Sequence, residues 1–224
     1  MGLGFGLVPL TTEDIMASSK IKIVNIALTK LGANRISSFS DNTEEAKAIN
    51  AVYDDILDEV LVAHPWTFAQ KRHVLAQLTI TPVMTEDGMT IVYAKPTDCL
   101  KITFTSDITA QVKLESDGIL SDTAGLKIIY TKRATETILY FSAFTSALAT
   151  RLAAEVAASL TQSFSKARDL LEDYEKLKLP RAKSEDSKQG TPRDIRQDAW
   201  TNARVSSGSF FNPRTGASIW HPVG

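Results

Sequence analysis

Four carboxylates in one short stretch, Asp54, Asp55, Asp58 and Glu59, are the groups best placed by type and spacing to do chemistry in this chain. Asp55 and Glu59 stand four positions apart, which puts both on one face of a helix. Paired carboxylates of this kind hold divalent cations or divide the acid and base roles of a hydrolysis. A helical metal site needs further ligands from facing helices, usually with histidine among them, and no other segment supplies such a half-site. The same stretch carries Asp41, Glu44 and Glu45, so residues 41–59 hold seven acids against the single base Lys47. It reads as the solvated or partner-facing side of a helix, with Glu44, Glu45, Asp54, Asp55, Asp58 and Glu59 as an inter-subunit or channel-lining face.

The remaining reactive groups are scattered. His64 precedes Pro65-Trp66 and His73 follows Lys71-Arg72, neither with a nearby serine or cysteine nucleophile on a plausible elbow; with His221 near the end, the three histidines are too scattered for a metal or triad site. Where a helix closes, His64 sits at a position that favours a cationic ring. Cys99, the one cysteine, excludes an internal disulfide and a cysteine-based zinc site, and reads as a small buried hydrophobe. Gly2-x-Gly4-x-Gly6 lacks the preceding strand of a phosphate loop, and Gly6 stands where a myristoylation signal carries Ser or Thr. The reading is therefore of a protein without catalytic residues, cofactor or metal.

Composition narrows the classes further. The 224 residues include 25 Lys+Arg and 26 Asp+Glu, a formal net charge of −1, so no overall basic character points to nucleic acid. No apolar run approaches the roughly 18 residues of a membrane span, and MGLGFGLVPL lacks the basic region and cleavage site of a secretory signal. The near-neutral total hides an asymmetry. Beyond Pro180 the chain carries seven Lys+Arg against four acids and interleaves arginines with large aromatics: Arg193, Arg196, Trp200, Arg204, Phe210, Phe211, Arg214 and Trp220. Arg, Trp and Phe dominate binding hot spots, so the segment reads as a docking arm for a partner, with nucleic-acid binding and plain disorder as the alternatives.

These groups must be positioned by a mixed set of elements. Residues 1–18 form a Gly-bearing, flexible N-terminal arm. A helix over about Lys20–Leu31 is capped by Ser18 or Ser19 and stopped by Gly32 in a left-handed conformation. A second starts with Asn42 as cap and Glu45 closing a capping box, buries Ala46, Ile49, Tyr53, Ile56 and Val60, and ends before Pro65. Between Thr67 and Lys132, β-branched runs (Thr79-Ile-Thr-Pro, Thr90-Ile-Val-Tyr, Leu100–Thr105, Ala110–Glu115, Gly125–Thr131) alternate with Asp-Gly and Pro turns, which implies a small antiparallel sheet. A long Ala-rich helix from about Thr137 presents Ile138, Phe141, Phe144, Leu148, Leu152 and Val156 to a core. After a break near Gln162-Ser163, a final amphipathic helix carries Leu170, Leu171, Tyr174 and Leu177. The expected fold is α+β: a bundle of about four helices over 19–66 and 137–179, an inserted antiparallel β-domain over 67–136, and an extended C-terminal arm over 180–224.

The order and spacing of these segments resemble one known family. Ile21-Lys-Ile-Val-Asn-Ile-Ala-Leu-Thr-Lys-Leu-Gly32, then Ile36-x-Ser38 and Asn42-Thr-Glu-Glu-Ala46, are similar to the opening of the tail tubular protein A family, the head-to-tail adaptors of short-tailed bacteriophages. His64-Pro-Trp66, Ala69-x-Lys71-Arg72, Tyr93-x-x-Pro96-x-Asp98-Cys99-Leu100-Lys101 and Leu148-Ala-x-Arg-Leu-Ala-Ala-Glu155 continue the likeness, which covers about residues 19–180. The resemblance implies a non-enzymatic virion protein at the head–tail interface, assembled in the host cytoplasm as a homo-oligomeric ring, typically a dodecamer. It implies a portal protein on one side, a tail nozzle on the other, and DNA passing through without sequence readout; no membrane is involved. The C-terminal arm would then be the portal grip by position. Met16 resembles the more usual starting point of the family, leaving the first residues as an extension. Two other classes compete. A wall-cutting enzyme lacks a credible acid pair, and a nucleic-acid-binding regulator lacks an evident aromatic–basic sheet motif.

Overall fold

A computed structural model of the chain describes residues 12–80, 82, 88–107, 109–116 and 118–189. Its element order is α1 (Thr12–Leu31), α2 (Glu44–Val62), β1 (Gln70–Val74), β2 (Ile91–Tyr93), β3 (Cys99–Thr105), β4 (Val112–Glu115), β5 (Gly118–Ser121), β6 (Lys127–Lys132), α3 (Ser142–Thr161), α4 (Phe164–Asp173) and α5 (Leu179–Ser187). The fold is α+β, a helical bundle with small antiparallel sheets inserted between α2 and α3.

Helix α1 ends as its sequence dictates. Gly32 adopts φ +73°, Ala33 N–H donates to Leu28 O at 3.1 Å and Gly32 N–H to Thr29 O at 3.2 Å, the paired bonds of a Schellman stop. Its start lies earlier than expected. The helix runs through Ser18 and Ser19 from Thr12, so residues 12–18 leave the predicted flexible arm. Serine is tolerated inside a helix. Residues 1–11 lie outside the described residues. Helix α2 is capped by Thr43 rather than Asn42: Thr43 accepts from Ala46 N–H, and Glu45 turns instead to Asn34, whose Nδ2 donates to it at 3.1 Å. The short link between the helices is pinned by side chains. Asn25 clasps Ile36 through both its amide atoms (3.0 and 2.9 Å), and Asp41 accepts from Ser37 N–H and Ser38 N–H.

Helix α3 is the centre of the bundle. It packs against α1, α2, α4 and α5, which requires apolar side chains around most of its circumference. Phe144, Leu148, Leu152 and Val156 are buried, as are Ala147, Ala149, Ala153 and Ala157, and the small alanines let the neighbouring helices approach closely. Ile138 does not join this face. It lies in a short 3₁₀ turn before the helix and is 81% exposed. The break after α3 falls at Gln162, which takes the left-handed conformation (φ 53°), and Ser163 caps α4.

The predicted arm also begins too early. Pro180 does not end helical structure: a π-helical turn over Tyr174–Lys178 leads into α5, where Pro180 occupies the first turn. The wider π turn ahead of it accommodates both the ring and the N–H that proline lacks. Residues 180–187 thus belong to the bundle, with Ala182 buried in its core. Four helical rods result among the described residues, the last of them bent through α4, the π turn and α5.

The inserted region holds two three-stranded antiparallel sheets rather than one, ordered β1-β6-β3 and β2-β5-β4. Strand β1, Gln-Lys-Arg-His-Val, has five exposed positions and no apolar alternation to announce it. Thr79–Ile80 forms no strand, and β5 occupies Gly118–Ser121 where a turn was expected. A second apolar core, Leu75, Tyr93, Cys99, Ile119, Leu126, Ile128 and Tyr130, fills this region. Gly118 closes it. With φ +148°, its hydrogen stands where an added Cβ would lie 2.4 Å from Tyr93 O. Gly118→Ala is expected to destabilise the protein by about 2 kcal/mol or more through strain and this clash, read as a lowered midpoint in urea unfolding.

Candidate functional site

The acidic face of α2 is largely answered from within the chain. Glu59 receives two bonds from Arg151 of α3, from Nε and Nη2, both at 2.9 Å, and Arg151 also reaches Glu155 at 2.7 Å. Arg133, just past β6, places Nε 2.7 Å from Asp58 and an Nη 4.0 Å from Asp54. The Asp58 bond, as the largest cause, raises the Arg133 pKa. Glu44 pairs with Lys47 at 3.3 Å. Glu45 lies below the usual carboxylate range, held first by a helix-start backbone N–H and then by Asn34. Beside the exposed Glu44, two acids in the middle of the helix stay turned outward: Asp54, whose side chain is 67% exposed, and Asp55, which has no ion pair among the described residues.

Arg133 belongs to a network at the neck between bundle and sheets. Its backbone N–H donates to Asp98 O at 2.8 Å. The Asp98 carboxylate in turn accepts from Lys71 Nζ (2.9 Å) and Tyr130 Oη (2.7 Å). These two bonds, Lys71 first, hold Asp98 below the ordinary carboxylate range. Lys71-Arg72 and Pro96-x-Asp98-Cys99 lie about 25 residues apart in sequence and meet here. Cys99 is buried, with its thiol pushed up by burial above all.

A second junction lies below the Pro65 turn. Asp186 of α5 is 3% exposed and accepts from Thr67 N–H through both carboxylate oxygens (3.1 Å each) and from Thr67 Oγ1 at 3.2 Å. His64 Nε2 stands 3.3 Å from the same carboxylate, and its ring meets Trp66 edge-on at 4.9 Å between centroids. This corrects the expectation of a cationic ring at the end of α2. Burial, the largest influence on His64, lowers its pKa and outweighs the pull of Asp186.

The outer face of the β1-β6-β3 sheet has a different character. Arg72, Ile129 and Phe104 lie in one row across the three strands, with Val74 opposite Lys127 in the next. They line an open groove of about 280 Å³ together with His73, Ser106 and Ile128. Val74 and Phe104 are exposed, an apolar floor edged by cations.

No protein-family model matches the chain, and no curated protein does.

Among the described residues no three His, Cys, Asp or Glu side chains gather to hold a metal ion, and no helix is long and apolar enough to cross a membrane. The predicted docking residues Arg193, Arg196, Trp200, Arg204, Phe210, Phe211, Arg214 and Trp220 lie outside the described residues. Sequence reading missed Arg133, Arg151 and Asp186 as partners. An arginine inside an Ala-rich helix was a usable signal for Arg151, because an isolated charge there needs a carboxylate from a neighbouring element. Asp186, in a polar stretch, offered none.

The His64 junction makes stability depend on pH. Because the folded-state pKa lies below 6.5, the unfolded chain takes the proton first, so stability present above about pH 6.5 is lost as pH falls through it. Urea midpoints are expected to fall between about pH 7.5 and 5.5, above the ordinary carboxylate range, and His64→Gln to fall less over the same interval.

Proposed function

We propose that this chain is a structural virion protein, a head-to-tail adaptor that assembles into a homo-oligomeric ring between the portal and the tail nozzle of a short-tailed phage and lets DNA pass without sequence-specific binding. One observation carries the reading. Several of the residues through which the sequence resembles the tail tubular protein A family pair with one another or brace neighbouring segments: Asn25 with Ile36, Trp66 with Val60, and Lys71 with Asp98. Ordered motifs that hold a bundle and an insert together behave as one structural signature rather than as separate caps and turns. The acids of α2 paired with Arg151 of α3 and Arg133 beyond β6 act as braces, which fits a structural subunit better than a catalytic one.

In this reading the C-terminal arm, with Trp200, Phe210, Phe211, Trp220 and its arginines, grips the portal. A second reading, a nucleic-acid-binding or regulatory interaction protein without catalysis, draws on the cations around Phe104 on the outer sheet face.

The test is light scattering with negative-stain imaging of the chain alone and mixed with the portal protein of the same phage. Truncation belongs after Gln189, because α5 and its buried Asp186 are part of the bundle. The expected result is a ring or portal complex with the full chain that is lost on truncation. Assembly that survives truncation would move the grip elsewhere, and absence of any association would remove the adaptor reading.

A further inference from the structure

We infer that the outer face of the β1-β6-β3 sheet is one half of a head-to-tail contact between copies of this chain, and that the other half is the Asp54–Asp55 edge of α2 on the next copy. The inference rests on the ring reading and specifies how the ring closes. Three cations, Arg72, Lys127 and Lys101, stand on the face that also carries Val74, Phe104 and Ile129, because residues paired across antiparallel strands share a side and alternate residues return to it. The nearby carboxylates are engaged elsewhere: Asp98 by Lys71, Glu115 by Lys113 and Glu136 by Lys132. Among the described residues the face is thus an apolar floor with a positive rim, the anatomy of an interface core and its border.

The chain carries the complement. On α2 the internal arginines bond closely to Asp58 and Glu59, while Asp54, only 4.0 Å from Arg133 at its nearest and 67% exposed, and the exposed Asp55 face outward. Ala51 and Val62, four before and seven after Asp55, are exposed on the same side of the helix, so small apolar groups flank the acid where a floor of Val74 and Phe104 needs them. Opposite charge fixes register and partner choice. Because the two patches differ, each copy offers one and accepts the other, which propagates from copy to copy and closes as a ring when the rotation allows. Nucleic acid is the weaker occupant. A single exposed phenylalanine gives no succession of stacking platforms, and the near-neutral chain already holds outward acids of its own on α2.

The test uses the full chain. Ala51→Cys with Val74→Cys in one molecule is oxidised and read on denaturing gels, Cys99 being buried. A ladder of dimer, trimer and higher species is expected. Adding Arg72→Glu with Lys127→Glu, or Asp54→Lys with Asp55→Lys, should each reduce it about tenfold or more, the loss expected when like charges meet. Mixing the two reversed variants should restore it, with circular dichroism confirming that each is folded. No ladder, a ladder indifferent to either reversal, or failure of the mixture overturns the inference. So does loss of binding to labelled single- or double-stranded DNA in Arg72→Glu/Lys127→Glu with the ladder intact, which would make the face a nucleic-acid surface. A portal complex without a ladder leaves the adaptor reading standing and this contact wrong. A charge-rescued ladder without a portal complex does the reverse.

Discussion

Trp66 is fully buried and donates its indole N–H to Val60 O at 2.8 Å, which fixes the direction in which the chain leaves α2. A buried indole without that acceptor would leave an unpaired donor, so the turn at Pro65 and the position of the ring specify each other. Phe68, Phe141 and Phe144 pack around it with centroid separations of 5.0 to 6.3 Å, and Tyr140 joins them through Phe68 and Phe144. These rings come from the segments by which the chain enters and leaves the inserted region. The same cluster therefore sets both ends of the insert, and Asp186 locks its underside by holding Thr67.

Charge is distributed in two regimes. Near the bundle's waist, acids and arginines from α2, α3 and the β6 exit neutralise one another, and the partly shielded Arg151 (side chain 14% exposed) is held in a fork by Glu59. Such pairs add little net stability when solvated, but they orient the elements that carry them. Farther out, exposed Asp54 and Asp55 on α2 and Arg72, Lys101 and Lys127 on the sheet face outward. A formal net charge of −1 is the sum of these two regimes and describes neither.

Helices were legible where local chemistry decides. Gly32 ended α1 and the stripe of Ile49, Tyr53, Ile56 and Val60 set the buried side of α2, because both signals act within a few residues. Boundaries failed where the residue type is compatible with more than one position: Ser18 and Ser19 continue a helix, Pro180 sits in the first turn of one, and Thr43 caps α2 in place of Asn42. Strand β1 was illegible because exposed Lys-Arg-His has no alternation, and it exists only through its ladder with β6. The candidate surface was half legible. Its acids stood out by density, whereas its bases are spread over three strands and converge only through register.

The pairing of Gln70 with Thr131 brings the first strand of the insert beside its last, directly at the neck. A segment of some sixty residues is thus spliced into the bundle through two adjacent points, with a separate apolar core of its own. Tension along the chain between α1 and α5 would pass from α2 to α3 across that neck and bypass the sheets. The insert is in this sense a module hung outside the load path.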